Sequence, residues 1–347
     1  MSNPDAAPKA VIFGCAGTVL SADERRFLAA AEPLGFILFE RNCAEPAQVR
    51  ALVAALRDAV GRAGAPVLID QEGGRVTRLK PPRWRARPAP ARFAELARHD
   101  LAAALEAARL NARLMAHDLT ALGIDVDCAP VADVVAPGGH DVIGDRALGS
   151  DPETVAALAG AVCEGLLEGG VLPVIKHLPG HGRARVDSHH ALPVVEASRD
   201  ELRGTDFVPF QALAHMPWAM TAHVVYSALD AARPATQSPR VINEVIRGEI
   251  GFAGVLASDD LSMAALTGSL AERARGALAA GCDLALHCSG ELAEMVAIAD
   301  AVGPLSAAAQ ERLRRAAGAL RAATEIDPAA LAERLGRLLS KPLEAHG

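Results

Sequence analysis

The chain has 347 residues, 51% of them hydrophobic but only 3% aromatic, so it can build a large and mainly aliphatic core. A formal charge of -7, with no run of Lys or Arg, argues against a nucleic-acid partner. Met1–Lys9 is polar and lacks the apolar stretch of a secretory signal, and no apolar run reaches membrane-spanning length. A cytoplasmic protein with no membrane partner is therefore expected. The six cysteines are dispersed without a CxxC pair, which fits a reduced compartment and excludes a zinc knuckle.

Short apolar segments of β type alternate with alanine-rich amphipathic ones along the chain. The first strand is expected at 10–13, ahead of the turn Gly14-Cys15-Ala16-Gly17. The second is expected at 35–39, with a helix over 44–60 behind it, and the third at 67–70. Arg83–Arg92, interleaved with Trp84 and prolines, reads as an irregular loop. One long helical pattern covers 91–122 and closes at Gly123 before a fourth strand at 124–130. Asp151-Pro152 sets a cap before a first-turn proline and opens a helix over 152–168; Ser238-Pro239 repeats the device for 238–250. The remaining strands are expected at 172–177, 219–223, 254–259 and 283–287, with helices over 207–215, 270–280 and 291–302.

About eight βα units with nearly all-apolar strands favour an α/β fold, a (β/α)8 TIM-type barrel. A doubly wound sheet would usually carry a glycine-rich phosphate turn after its first strand, and Gly14–Gly17 is too thin for that. The expected organisation is one catalytic domain over 1–347, with 304–347 as a C-terminal helical extension.

In such a barrel the loops after the strands share one mouth, so catalytic groups should collect at strand ends. They do: Asp70 ends the third strand, Asp133 and Arg146 follow the fourth, Lys176 and His177 end the fifth, and His223, Asp259 and His287 end the last three. Asp259 follows an apolar strand and should point at a ligand from a rigid base; Asp260 should face away or cap the next segment. The pair also fits a helix cap plus an exposed acid. Asp70, with Arg78 and Lys176 available as cations, suits charge-assisted hydrogen bonds to vicinal hydroxyls, as in a sugar site. In Asp187-Ser188-His189, residues i and i+2 of an extended loop face one way, so Asp187 can orient His189 as a proton-transfer group. A carboxylate nucleophile plus such a group is the minimum for glycoside cleavage through a covalent intermediate. Gly180 and Gly182 are expected to give the segment between freedom to move.

Leu38-Phe39-Glu40-Arg41-Asn42, Asp70-Gln71-Glu72-Gly73-Gly74-Arg75-Val76, Ala129-Pro130-Val131-Ala132-Asp133, Lys176–Gly182 with Asp187-Ser188-His189, and Ser258-Asp259-Asp260-Leu261-Ser262-Met263 stand in that order. Together they resemble the bacterial β-N-acetylglucosaminidases of glycoside hydrolase family 3, the short kind used in cell-wall recycling. The resemblance runs from about Ala10 to Ser289, with the family's KHFPGHG standing here as KHLPGHG. It implies that Asp259 is the nucleophile and that His189, assisted by Asp187, is the acid/base. Asp70, Arg78, Arg146, Lys176 and His177 match the positions that hold the sugar ring, with His223 near it. The implied substrate is a muropeptide, N-acetylglucosamine β-1,4-linked to anhydro-N-acetylmuramic acid carrying a peptide. No metal or organic cofactor is implied, and a monomer or weak homodimer is expected. Two other readings use the same residues: a metal-dependent barrel hydrolase built on His177, His181, His189, His190 and Asp259, and a non-catalytic sugar-binding barrel.

Overall fold

The computed structural model describes residues 7–138, 141, 143–188 and 191–340. Ten strands form in it, numbered along the chain. Eight of them close the expected parallel barrel: β1 (Lys9–Phe13), β2 (Pro33–Leu38), β3 (Val67–Ile69), β4 (Val126–Asp127), β5 (Leu172–Leu178), β7 (Trp218–Thr221), β9 (Val255–Asp260) and β10 (Leu284–His287). Pairing of Val11 with Ala285 and of Phe13 with His287 seals β1 against β10. The other two, β6 (Val194–Val195) and β8 (Val225–Tyr226), form a short ribbon from the segments after β5 and β7. Every residue of β2 and β5 is buried, as in a sheet covered on both faces.

The fourth strand is shorter than expected. Its ladder ends at Asp127, because the Ala129-Pro130 step just beyond supplies no N–H at Pro130. Its carbonyls still serve β5: Ala129 O accepts from the Val174 N–H at 3.1 Å and Pro130 O from the Lys176 N–H at 3.2 Å.

The helices form an outer layer. Two are not expected from the residue pattern, α1 (Ala22–Ala31) and, further along, α6 (Arg199–Gly204); both begin at reciprocal serine–glutamate caps, Ser21 with Glu24 and Ser198 with Glu201. After α2 (Pro46–Ala59), the single helix expected over 91–122 is two, α3 (Ala91–Ala97) and α4 (Leu101–Thr120). The break falls at Asp100, whose side chain accepts from the Ala103 N–H at 2.9 Å and so starts a new helix. Asp151 caps α5 (Pro152–Glu168) as expected, through the Thr154 N–H at 2.9 Å. Past α7 (Phe207–Ala212), Ser238 accepts from the Val241 N–H at 3.1 Å, but the Val241–Glu249 stretch then winds as a wider π-helix. Then come α8 (Leu270–Ala280) and α9 (Leu292–Ala301). The tail gives α10 (Ala307–Ala319) and α11 (Pro328–Leu339), the latter laid on α4 with Leu335 buried. At the end of the barrel away from the mouth, buried Asp283 binds Arg247 at 2.9 Å and Arg312 of α10 at 2.7 Å. No helix among the described residues is long and apolar enough to cross a membrane. All six cysteines are unpaired.

Candidate active site

A cavity of about 270 Å³ opens at the C-terminal ends of the strands, at the small end of the ~300–1,000 Å³ typical of small-molecule sites. Asp259, near the end of β9, lies in its wall. Its Oδ1 accepts from the Asp260 N–H at 2.8 Å, which leaves Oδ2 without a protein partner among the described residues. Burial pushes this carboxyl upward, but the imidazoles of His177 and His223, the Asp260 N–H and the Lys176 ammonium outweigh it and hold it below its ordinary value. Asp259 is thus an anion at neutral pH. Asp260 does cap the next segment, accepting from the Ser262 N–H at 3.1 Å and the Cys288 N–H at 3.2 Å.

The same cavity is lined by a packed set of charges. Lys176 Nζ lies 2.8 Å from Asp70 Oδ1 and 2.7 Å from Glu72 Oε1. Arg78 binds Asp70 Oδ2 at 2.9 Å, and its guanidinium sits over the Phe39 ring, 5.0 Å from the centroid. Arg146 grips both oxygens of Glu72, each at 2.8 Å. Burial would raise both carboxyls, but the surrounding cations hold Asp70 well below the usual carboxylate range and Glu72 below its ordinary value. Burial likewise opposes the Lys176 charge, and Asp70 and Glu72 overcome it. Two carboxylates against three cations leave one positive charge in excess beside Asp259.

A second cluster fixes the end of β5. Asp133 Oδ2 meets His177 Nδ1 at 2.7 Å, while its Oδ1 accepts from the backbone N–H groups of His177, at 3.1 Å, and His181, at 2.6 Å. Burial favours a neutral Asp133, but His177 and His181 reverse this and bring its carboxyl down to about 2. Lys176 and His177 both line the cavity, and the peptide between them is cis. A buried carboxylate, a dense array of charged hydrogen-bonding groups and an apolar margin (Ile37, Met220, Leu286) are suited to gripping a polyhydroxylated ring.

The Glycosyl hydrolase family 3 N terminal domain matches residues 14–319. The chain belongs to that family. Among its relatives, a beta-hexosaminidase of Alkalilimnicola ehrlichii is 44% identical over 283 residues, 80% of either chain. A beta-hexosaminidase of Pseudomonas aeruginosa is 41% identical over 310 residues, 87% of this chain and 89% of that one. Family 3 structures superpose closely. NagZ from Neisseria gonorrhoeae, solved in complex with N-trifluoroacetyl-D-glucosamine, gives a TM-score of 0.86 at 33% identity over 97% of this chain and 100% of that one. A family 3 β-N-acetylglucosaminidase from Paenibacillus gives 0.81 at 33% identity, over 95% of this chain but 66% of its own.

Of the residues expected in this family 3 site, Asp70, Arg78, Arg146, Lys176, His177 and Asp259 line one cavity. His223 does not. It is fully buried, with Nδ1 2.7 Å from Thr236 Oγ1 and Nε2 3.0 Å from Asp260 O, so it braces the Asp259–Asp260 step from behind. Both of its ring nitrogens thus meet protein atoms, and its ring is not part of the cavity wall. Asp187 is half-buried next to Ser188, which does line the cavity. His189 and His190 lie outside the described residues, and so does any geometry of the expected Asp187–His189 pair. Among the described residues, no group of three or more His, Cys, Asp or Glu is arranged to hold a metal ion.

The structure adds to what the residue pattern gives at three positions. Glu72 stands in an ordered motif with nothing in the pattern to give it a role, although it follows a strand end closely, and Asp133, expected only as one of the strand-end groups, proves to be the partner of His177 and His181. Phe39 carries no charge to draw attention. Gly180 and Gly182, expected to give the segment freedom, also meet a steric demand. A Cβ at Gly182 would fall 1.8 Å from Val134 O, and Gly180, at φ +137°, would place one 2.9 Å from Asp206 Cβ. Gly182 is a close backbone approach and Gly180 a positive-φ position against a side chain, and glycine suits both.

Proposed function

We propose that the chain is a retaining exo-β-N-acetylglucosaminidase that removes non-reducing terminal N-acetylglucosamine from muropeptides during peptidoglycan recycling. That it is a glycoside hydrolase of the β-hexosaminidase class follows from its family and its relatives. What supports the finer reading best is that Asp259, with one oxygen unclaimed, lines one sugar-sized cavity together with the Asp70–Lys176–Glu72–Arg146 array. That array supplies charge-assisted donors and acceptors to the ring hydroxyls and the acetamido group. The ring then sits with its anomeric carbon toward Asp259 Oδ2.

In the first step Oδ2 attacks that carbon, the glycosidic bond breaks, and the leaving oxygen takes a proton from His189, oriented by Asp187. A glycosyl-aspartate results. In the second step the same imidazole takes a proton from water, which attacks the anomeric carbon and frees Asp259. The excess positive charge facing Asp259 keeps the nucleophile ionised before the first step and after the second. Six unpaired cysteines fit a cytoplasmic enzyme acting on recycled fragments. The reading takes it to act as a monomer or weak homodimer, without metal or organic cofactor.

Asp259→Asn is the direct test. Hydrolysis of an aryl β-N-acetylglucosaminide should fall by on the order of 10³-fold or more, while calorimetric binding of N-acetylglucosamine survives. Turnover at the normal rate would remove Asp259 from the mechanism.

A further inference from the structure

His181 is a titratable group on the cavity wall that the proposed mechanism leaves idle. The residue is 4% exposed, its Nδ1 has no hydrogen-bond partner among the described residues, and its Nε2 lies 3.3 Å from Ser188 Oγ. Its ring stands against that of His177, with centroids 5.7 Å apart. Burial, reinforced by His177, brings the imidazole down to about 4, so it is neutral at physiological pH and does not add charge beside Asp259. Its backbone is closely held: the N–H is spent on Asp133, Gly180 before it accepts a hydrogen bond from the Tyr226 hydroxyl at 2.7 Å, and Gly182 after it accepts from the Ala136 N–H at 3.2 Å.

Ser188, by contrast, belongs to the segment that carries Asp187, and it makes two tethers. Its hydroxyl meets His181, and its carbonyl accepts from the Ala265 N–H at 3.1 Å, in the loop that leads on from Asp259. One residue thus ties the Asp187 segment to the fixed end of β5 on one side and to the nucleophile's own loop on the other.

We infer that His181 is a positioning residue: through Ser188 it sets the distance between the Asp187 segment and Asp259. This rests on the proposed part of Asp187 in proton transfer. At 3.3 Å the imidazole–hydroxyl contact is at the long end for a hydrogen bond, so it biases the segment's position without locking it. The effect on rate should therefore be modest and confined to the step that needs the proton.

Two substrates separate that step from the rest. 4-Nitrophenyl β-N-acetylglucosaminide has a leaving group that departs with little protonation, whereas N-acetylglucosaminyl-β-1,4-anhydro-N-acetylmuramic acid needs it. His181→Ala and Ser188→Ala should each lower kcat/KM on the disaccharide by roughly three- to tenfold, and change it on the aryl glycoside by less than about twofold. The double variant should be no worse than the worse single one, since both break one contact. His181→Gln, which keeps a polar atom near the Nε2 position, should recover most of the loss. Equal losses on both substrates, a rise in KM alone, or fully additive losses in the double variant would overturn the inference. Should His181→Ala fail to fold, Ser188→Ala, which deletes a single oxygen, decides the matter. Asp187→Ala in the same assay separates the two claims. If it spares the disaccharide, the proton-transfer reading falls and takes the inference with it. If Asp187→Ala loses the disaccharide selectively and neither His181→Ala nor Ser188→Ala does, only the positioning role fails.

Discussion

Glu72 is held from two sides, by both nitrogens of Arg146 and by Lys176 at 2.7 Å, with 1% of its side chain exposed. Removing one member of a buried charge network strands the others, at a cost of about 3–5 kcal/mol. Glu72→Gln should accordingly lower stability by about 3 kcal/mol in urea unfolding and weaken calorimetric binding of N-acetylglucosamine by about tenfold or more. Unchanged sugar affinity would mean that Arg146 and Lys176 do not need it for their aim. Asp127 behaves oppositely. It is fully buried, one oxygen accepts from the Gln71 N–H at 2.9 Å, and the other has no partner. Burial pushes its carboxyl well above the ordinary value, so the folded protein keeps a proton that the unfolded chain releases above pH ~4. Its contribution to stability is therefore complete below that pH and is lost as pH rises toward the folded-state value. Asp127→Asn removes this dependence. The stability of the variant relative to the parent should rise steadily between about pH 4.5 and 7.5, by about 1 kcal/mol or more; a difference flat with pH would place a charged Asp127 in the fold.

At the scale of elements, the segment from Lys176 to Ser188 is tied down at His181 by Asp133, at Gly180 by Tyr226 and at Ser188 by Ala265. Gly182→Ala would drive a methyl group into Val134 O and push the β5 end away from Asp133. A loss of about 2 kcal/mol in thermal unfolding is expected, with a raised KM as Lys176 and His177 shift; parent-like stability would restore the slack that the sequence alone suggested. The periodic signals that survive folding are those set by burial: the apolar strands, and the Asp151 and Ser238 caps, which stand where the residue pattern puts them. What was illegible depends on neighbours far along the chain. The break at Asp100 competes with an unbroken alanine-rich pattern, and α1 and α6 are short, marked only by their Ser–Glu caps. Gly182 looks like a hinge until the Val134 carbonyl, from a distant stretch of chain, is seen against it. The same holds for His223. Its place at a strand end is plain in sequence, but the direction of its ring is settled by Thr236 and the Asp260 carbonyl.

For the whole molecule, the barrel separates two tasks. Asp283 and its arginines secure the far end, while Asp70, Arg78, Arg146, Lys176, His177 and Asp259 gather at the mouth, as parallel closure requires. That division is why the family and the reaction class could be read from ordered strand-end motifs, while Glu72, His181 and Ser188 emerge only once the loops share a wall. The central claim is that the sugar passes through a covalent bond to Asp259, and two displacements at one carbon leave its configuration unchanged. Proton NMR during the first turnovers of an aryl β-N-acetylglucosaminide, before mutarotation mixes the anomers, reads this directly. The β anomer of N-acetylglucosamine should appear first; initial release of the α anomer would mean direct attack by water and would contradict the glycosyl-aspartate.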